Sequence, residues 1–495
     1  MVNQLYYGDN LEVLRRYIKD ESVDLCYIDP PFNSKRNYNQ IYNNIGSEDK
    51  AQAQAFIDTW EWDDHAIHGI DEIITNYHGL FTQQCIALIS GLSNVLGKGS
   101  LLAYLVSMTL RITEIHRVLK PTGSFYLHCD PTSSHYLKLI LDAVFCSQGG
   151  DFLNELIWCY RGGGSPKKDF GRRHDVIFRY SKTKDYIFNA DKIRIPYQAE
   201  GIGRTDDAMW GKHKGTNKVY KPHPLGKIPE DWWLINILNA NDPERLGYPT
   251  QKPESLLERI IKASSNENDV ILDAYCGCGT TVAVCQKLDR QWIGIDITYQ
   301  SISLILKRLE DSFGKGVLDI IKLHGIPKDI ESAKALANKA DDRTRKEFEK
   351  WAILTYTNNR SRINTKKGAD KGVDGIGSFY GDKGEPEKVI FQVKSGKVKS
   401  GDIRDLLGTM TLENASIAIF ITLENPTKDM IKTAKSAGFY QNKHYSNYSC
   451  DKIQIVTIED IIENKQKLNI PLINEVLKSA EKHKEVKVNQ IELDI

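Results

Sequence analysis

The sequence predicts an α/β protein of two units, a large doubly wound, nucleotide-binding type of sheet over residues 1–320 and a smaller α/β unit over 343–495, with a linker at 321–342. Three observations predict this. An apolar run, Val23 to Ile28, ends in Asp29-Pro30-Pro31-Phe32. A second run, Val270 to Leu272, ends about 240 residues later in a glycine loop, Asp273-Ala274-Tyr275-Cys276-Gly277-Cys278-Gly279-Thr280-Thr281. Beyond the linker, helix-like and strand-like patterns alternate again around an acid, an amide and a lysine, Asp374, Gln392 and Lys394.

The first run reads as a buried strand, and the tetrapeptide after it as a rigid turn. Each proline fixes its own φ, restrains the residue before it and donates no N–H. Such a turn suits chemistry on an exocyclic base amine. The lone pair of that amine is delocalised into the ring, which makes the nitrogen a poor nucleophile. A carboxylate and a carbonyl accepting its two hydrogens would draw the nitrogen toward tetrahedral geometry. Asp29 supplies one acceptor and the Pro30 carbonyl the other, Pro31 stiffens the turn, and Phe32 is placed to stack on a base flipped out of a duplex.

The second run leads into a loop where Gly277 and Gly279 let the backbone pass close beneath a ligand. A third apolar strand, Trp292 to Ile295, ends at Asp296, nineteen residues after Gly277. From that position an acid binds ribose hydroxyls in doubly wound sheets. The competing reading of Asp296 is a helix N-cap ahead of Ile297-Thr298.

Residues 1 to about 320 resemble the β-class amino-methyltransferases of DNA, in which the catalytic tetrapeptide precedes the cofactor loop. The resemblance extends to Gly8-Asp9-Asn10-Leu11, to Leu127-His128-Cys129-Asp130-Pro131, to His174 through Lys182, and to Thr250-Gln251-Lys252-Pro253. It implies a circularly permuted Rossmann-like methyltransferase sheet and S-adenosylmethionine as cofactor. Asp9, Thr250, Lys252, Asp273, Tyr275, Gly277, Gly279, Thr280 and Asp296 are the implied cofactor-binding residues. Where the family usually has Pro-Phe in the glycine loop, this chain has Ala274-Tyr275. The Asp-Pro-Pro-Phe tetrapeptide implies adenine N6 as the target, because cytosine N4 members usually carry serine in place of Asp29.

Charge indicates where DNA would bind. The whole chain is only +1, but Arg161 to Lys227 holds sixteen Lys/Arg against seven Asp/Glu, a local +9. Basic loops follow phosphate backbones and set affinity and register. Target recognition is expected over about 160–248, with Trp210, Trp232 and Trp233, against the alternative of a charged surface over a tryptophan core. Asn33 to Asn44 is expected to be a mobile lid beside the target base.

In the linker, Lys328 to Asp342 reads as an exposed helix, and Arg345 to Tyr356 as an amphipathic one. A strand, Val389 to Lys394, puts Gln392 and Lys394 on one face. With Asp374 this forms a metal-assisted phosphodiesterase constellation. Asp374 and Gln392 would ligate Mg²⁺ and Lys394 would position or activate water and steady phosphorane charge. The unit resembles the Mrr branch of the PD-(D/E)xK nucleases, with Glu347 or Glu349 as an additional helix acid. The expected order downstream is helix 401–410, strand 417–422, helix 427–437 and strand 453–457.

Composition excludes several classes. No apolar run reaches membrane-spanning length, and the first residues enter a strand with no signal-like stretch. Nine scattered cysteines, with no complementary Cys/His group beside Cys276, Cys278 and Cys285, are expected to be reduced thiols of a cytoplasmic, nucleoid-associated protein and not zinc ligands. No Gly-x-x-x-x-Gly-Lys-[Ser/Thr] phosphate loop occurs. The expected partner is double-stranded DNA, met as a monomer or a homodimer. The leading expectation is a fused restriction–modification enzyme. A methyltransferase carrying an inert nuclease fold is the alternative, and a regulatory DNA-binding protein with both sites dead is the third reading.

Overall fold

The structure, a computed structural model, describes residues 3–31, 36–44, 47–58, 60, 62–162, 166–197, 223–239, 241–248, 250–338, 342–357, 361–364, 372–380, 386–442, 448–464 and 466–470. In chain order its first unit contains β1 (Asn3–Tyr7), α1 (Asn10–Tyr17), β2 (Val23–Ile28), β3 (Arg36–Asn44), β4 (Ser47–Asp58), α2 (Asp64–Thr75), α3 (Gln83–Leu96), α4 (Ser100–Val118), β5 (Leu119–Cys129), α5 (Ser134–Val144), β6 (Asp151–Cys159), β7 (His174–Ser181), β8 (Trp232–Leu234), α6 (Glu254–Ser264), β9 (Val270–Asp273), α7 (Thr280–Lys287), β10 (Gln291–Asp296), α8 (Tyr299–Phe313) and β11 (Ile321–His324). Then follow α9 (Ile330–Ala337), α10 (Asp342–Thr357), β12 (Ser361–Ile363), β13 (Gly375–Tyr380), β14 (Pro386–Lys394), α11 (Ser400–Leu412), β15 (Ile417–Thr422), α12 (Lys428–Ser436), β16 (Phe439–Asn442), β17 (Tyr448–Asp451), β18 (Ile453–Thr457) and α13 (Ile458–Ile462).

Nine strands form the large sheet in the order β11-β1-β10-β9-β2-β5-β7-β6-β8. All six residues of β2 and all four of β9 are buried, as apolar runs must be when helices cover both faces of a sheet. β2 pairs with β9 in parallel, Leu25 opposite Ile271 and Cys26 opposite Leu272. From β9 the chain proceeds outward one way, to β10, and from β2 the other way, to β5. The strand order therefore reverses between β9 and β2, the place where ligands bind in open α/β sheets. Two motifs far apart in sequence leave neighbouring strands at one sheet edge, which is the permuted arrangement expected.

The second unit holds a five-stranded sheet, β12-β13-β14-β15-β18, with β14, β15 and β18 parallel and β13 antiparallel to β14. The expected helices and strands after residue 400 all form, and β16–β17 adds a hairpin that the sequence pattern did not indicate. Odd residues Val389, Phe391 and Val393 face a core shared with Phe348 and Trp351 of α10. Ile390 faces a separate core under α11 and α12. The shared core runs on into the large unit through Trp292, Ile302, Ile305 and Leu309.

One expectation changes here. Residues 321–338 are not an exposed linker. β11 pairs with β1 as the edge strand of the large sheet, and Ala333, Leu336 and Ala337 of α9 are buried. Small apolar residues three and four apart give α9 a face that packs closely, despite few large side chains. Within the segment expected to be a lid, residues 36–44 pair with β4 as a two-stranded antiparallel ribbon apart from the main sheet.

Candidate active sites

Asp29 follows β2 directly, at the reversal point. Its Oδ2 accepts from the Lys252 ammonium, which also donates to the Thr250 carbonyl at 3.2 Å. Its Oδ1 is buried and has no hydrogen-bond partner among the described residues. Pro30 and Pro31 follow outside any helix or strand, while Phe32 lies outside the described residues. Lys252 arrives from the loop before α6, where Pro253 is the N-cap and Thr250 adopts left-handed φ of 66°. Gln251 fixes this loop by accepting from Leu246 N–H and donating to the Glu244 carbonyl, at 2.8 and 2.7 Å.

Behind Asp29 runs a buried polar chain. Tyr27 Oη meets His128 Nδ1 at 2.9 Å, and His128 Nε2 meets Asp175 Oδ2 at 3.1 Å. Tyr160 Oη donates to Asp175 Oδ1 at 3.3 Å. Burial alone would raise the Asp175 pKa, but His128, with Lys252 and Tyr160, outweighs it and holds the carboxyl below its ordinary value.

The glycine loop needs its glycines. Gly277 and Gly279 have φ of 50° and 75°, and a Cβ on Gly279 would lie 2.7 Å from Ile305. Asp296, at the end of β10, ties this loop down. Its Oδ2 accepts from Gly277 N–H at 2.9 Å, and its Oδ1 accepts from Thr298 N–H at 2.9 Å. Thr298, not Asp296, is the N-cap of α8, so the helix-cap reading of Asp296 does not hold. Asp273 accepts from Tyr275 N–H at 3.0 Å. Burial pushes the Asp273 pKa up to about 7, helped by the negative charges of Asp29 and Asp296. Burial likewise pushes Asp296 up to about 6.

The remaining expected residues divide. Asp9 caps α1 and pairs with Arg111 at 2.9 Å. Arg111 also donates to Asn10 Oδ1 at 2.6 Å, and Asn10 donates to the Ala274 carbonyl at 2.8 Å. Tyr275 joins this group, and its Oη reaches Met108 Sδ at 3.7 Å. Thr280 faces inward, accepting from Arg308 at 3.1 Å, and so secures the start of α7. Thr250 is exposed. No local pattern in the sequence marks Arg111. His128 and Asp175 fall within quoted motifs, but only the sheet register, with Cys129 opposite Val176, brings them together.

Residues 23–307 match the family model described as DNA methylase. The chain belongs to this family. A type II methyltransferase M.BglII of Bacillus subtilis is 33% identical over 213 residues, covering 40% of this chain and 57% of the relative. A type II methyltransferase M1.MboII of Moraxella bovis is 33% identical over 211 residues, 40% of this chain and 78% of that one. The DNA adenine methyltransferase YhdJ of Escherichia coli (strain K12) is 28% identical over 308 residues, 62% of this chain and 82% of that one. The chain thus spans little more than half the length of M.BglII. Residues 340–463 match a second family model, described as restriction endonuclease.

On the methylase sheet, β6 ends and β7 begins at the sheet edge where β2 ends, and Arg161, Lys167, Lys168 and Arg172 between them are exposed. Trp233 is not a surface residue. It is buried on β8, donates to the Glu230 carbonyl at 2.8 Å and lies under Arg259. Trp232 is half-buried, and residues 198–222, with Trp210, lie outside the described residues. Large aromatic residues here complete the sheet edge.

In the endonuclease-like sheet, Asp374 directly precedes β13. Its N–H donates to the Phe391 carbonyl at 2.9 Å, and its Oδ2 accepts from Val393 N–H at 2.7 Å. Gln392 is buried, with its Oε1 unpartnered among the described residues, while Lys394 is exposed at the strand end. Gly372, at φ of 74°, presses on the Gln392 amide so closely that a Cβ there would lie 2.6 Å from Nε2. Among the described residues no group of three or more His, Cys, Asp or Glu could hold a metal ion. The oxygen donors on offer are one carboxylate and one buried amide oxygen, a set that suits a hard cation keeping several waters. Glu347 does not join this pair. Its carboxylate accepts from Tyr7 Oη and Tyr299 N–H of the methylase unit, at 3.2 and 3.1 Å. Glu349, two residues on, projects about 200° around the helix from Glu347.

All nine cysteines are free thiols. Among the described residues, no helix is long and apolar enough to cross a membrane.

Proposed function

We propose that the chain methylates adenine N6 in duplex DNA and cuts DNA with its second unit. The observation that carries the first part is Asp29 at the sheet reversal, beside the glycine loop, with a buried Oδ1 lacking a partner and an ammonium on Oδ2. An amine placed there finds a free acceptor in Oδ1, while the Lys252 ammonium occupies Oδ2. Adenine over cytosine rests on aspartate in the tetrapeptide and on the adenine-directed relative YhdJ.

S-adenosylmethionine fits the site. Gly277 and Gly279 let the loop lie close on Tyr248 and Ile305, Asp296 offers its carboxylate to ribose hydroxyls, and Asp273 and Asp29 flank a position favourable to a cation. When bound, it supplies an electrophilic methyl group on a sulfonium. Asp29 and the Pro30 carbonyl take the two amine hydrogens and free the lone pair toward that methyl. These acceptors act mainly in the transition state. Once the N–C bond has formed, the surplus proton leaves through Asp29 to solvent. The His128–Asp175 pair holds Tyr27 and the β2 end in place behind it.

In the second unit, Asp374 and Gln392 would hold Mg²⁺, which lends Lewis acidity to a phosphodiester. Lys394 orients water and steadies developing negative charge, and Glu349 is the remaining candidate helix acid. Mapping modified bases in DNA from cells expressing wild type or Asp29→Ala tests the methylation reading. Adenine marks at one recognition sequence, lost in the variant, are expected. Cytosine marks, or marks that persist, overturn it.

A further inference from the structure

The cofactor pocket of the methylase is finished by a side chain from the endonuclease-like unit. Glu347, on α10, is 8% exposed. Its Oε2 accepts from Tyr299 N–H at 3.1 Å and from Tyr7 Oη at 3.2 Å, and its Oε1 accepts from Lys350 at 2.6 Å. Tyr299 opens α8, three residues after Asp296. Tyr7 closes β1 directly opposite Asp296, and the next residue, Gly8, donates its N–H to the Asp296 carbonyl at 2.9 Å. One carboxylate thus holds the chain on both sides of Asp296. A second bond from α10 reinforces it, with Thr355 Oγ1 meeting Tyr299 Oη at 3.0 Å.

The helix so gripped also supports the glycine loop. Ile305 fills the space beneath Gly279, and Arg308 reaches Thr280 Oγ1 at 3.1 Å. A shift of α8 would therefore move both Asp296 and the loop. Burying a carboxylate with one lysine partner is a poor way to add stability, since desolvation offsets the attraction, but it fixes geometry well. Apolar residues such as Phe348 and Trp351 already supply adhesion.

We infer that Glu347 is a positioning residue of the cofactor site, and that the endonuclease-like unit is a working part of the methylase. The inference rests on Asp296 as the ribose acid. It implies reciprocity: if α10 tightens cofactor binding, cofactor must steady α10 by the same factor.

The test uses the full chain. Glu347→Ala should weaken S-adenosylmethionine binding by calorimetry by about tenfold. Glu347→Gln, which keeps an acceptor oxygen, should recover most of it. In wild type, cofactor should slow amide exchange over 342–357, and Glu347→Ala should remove that protection. A purely structural role would lower Tm and leave affinity and protection in the folded protein unchanged. Should Glu347→Ala fail to fold, Tyr7→Phe combined with Thr355→Val removes two of the bonds while leaving the carboxylate in place, and should weaken binding by a few fold. Asp296→Ala is measured alongside. Wild-type affinity in the Glu347 variants, with binding lost in Asp296→Ala, overturns the inference. Wild-type affinity in Asp296→Ala overturns the ribose reading beneath it.

Discussion

The two sheets place acids at their strand ends in similar fashion but with opposite electrostatics. The methylase edge gathers Asp29, Asp273 and Asp296, with the Lys252 ammonium on Asp29. Burial, with repulsion from Asp29 and Asp296, raises Asp273 to about 7, and burial raises Asp296 to about 6. The endonuclease-like edge has Asp374, a neutral Gln392 and the exposed Lys394. The first site carries enough negative charge to favour a cationic organic ligand. The second offers one carboxylate and one amide oxygen. The difference teaches that one kind of architecture can carry an acid-rich strand edge and an acid-poor one, which on the proposed reading are completed by a nucleoside cation and by a metal.

Four experiments would break or sharpen this contrast. Asp29→Ala should lose methyl transfer by about a thousandfold while still binding cofactor, since its role lies in the transition state. Single-turnover rates near wild type would remove Asp29 from the chemistry. Next, the purified chain should cut duplex DNA with Mg²⁺ and without ATP, and EDTA or Lys394→Ala should end cutting with methylation intact. If no cleavage appears with any divalent metal on methylated or unmethylated DNA, while methylation is normal in the same preparation, the second site is inert and the unit serves the methylase only.

Asp296→Ala should weaken cofactor binding by on the order of 1–3 kcal/mol, from lost hydrogen bonds to a charged acceptor. The smallest effect concerns pH. Protonating Asp273 and Asp296 removes negative charge that favours a cation and acceptors that favour ribose. Affinity should therefore decline several-fold as pH falls from 8 through 7 to 5.5, and binding near pH 6.5 should release protons. Because both pKa values are raised in the fold, the unliganded protein binds more protons than the unfolded chain at pH 5–7. That contribution to stability is lost as pH rises through 6 and 7, the opposite trend to the affinity. Calorimetry in buffers of different ionisation enthalpy and thermal melts over this range read the two trends separately. A pH-independent affinity would show that neither acid meets the ligand.

Several misreadings share one cause. Lys328 to Asp342 is rich in alanine and lysine, which suggested exposure, but Ala333 and Ala337 pack because small residues allow close helix approach. Trp233 suggested a surface for bases, yet it closes the edge of a sheet whose end strand is only three residues long. Glu347, one of two candidate helix acids, accepts from Tyr299 N–H and Tyr7 Oη. In each case the residue type was compatible with both fates, and its neighbours across the fold chose between them.

The sequence by itself determined the strands that end in Asp29, Asp273 and Asp296, because continuous apolar runs report burial on both faces. It determined the glycine loop too, where positive φ at Gly277 and Gly279 excludes other residues, and the helix–strand order after residue 400. Only the tertiary structure decided which side chains meet. Lys252 reaches Asp29 across 223 positions, Asp9 pairs with Arg111 across 102, and Glu347 meets Tyr7 across 340. Local propensity and periodicity act over a few turns of chain. Pairings at these separations follow from sheet order and helix packing, which are set by burial of the whole apolar surface at once.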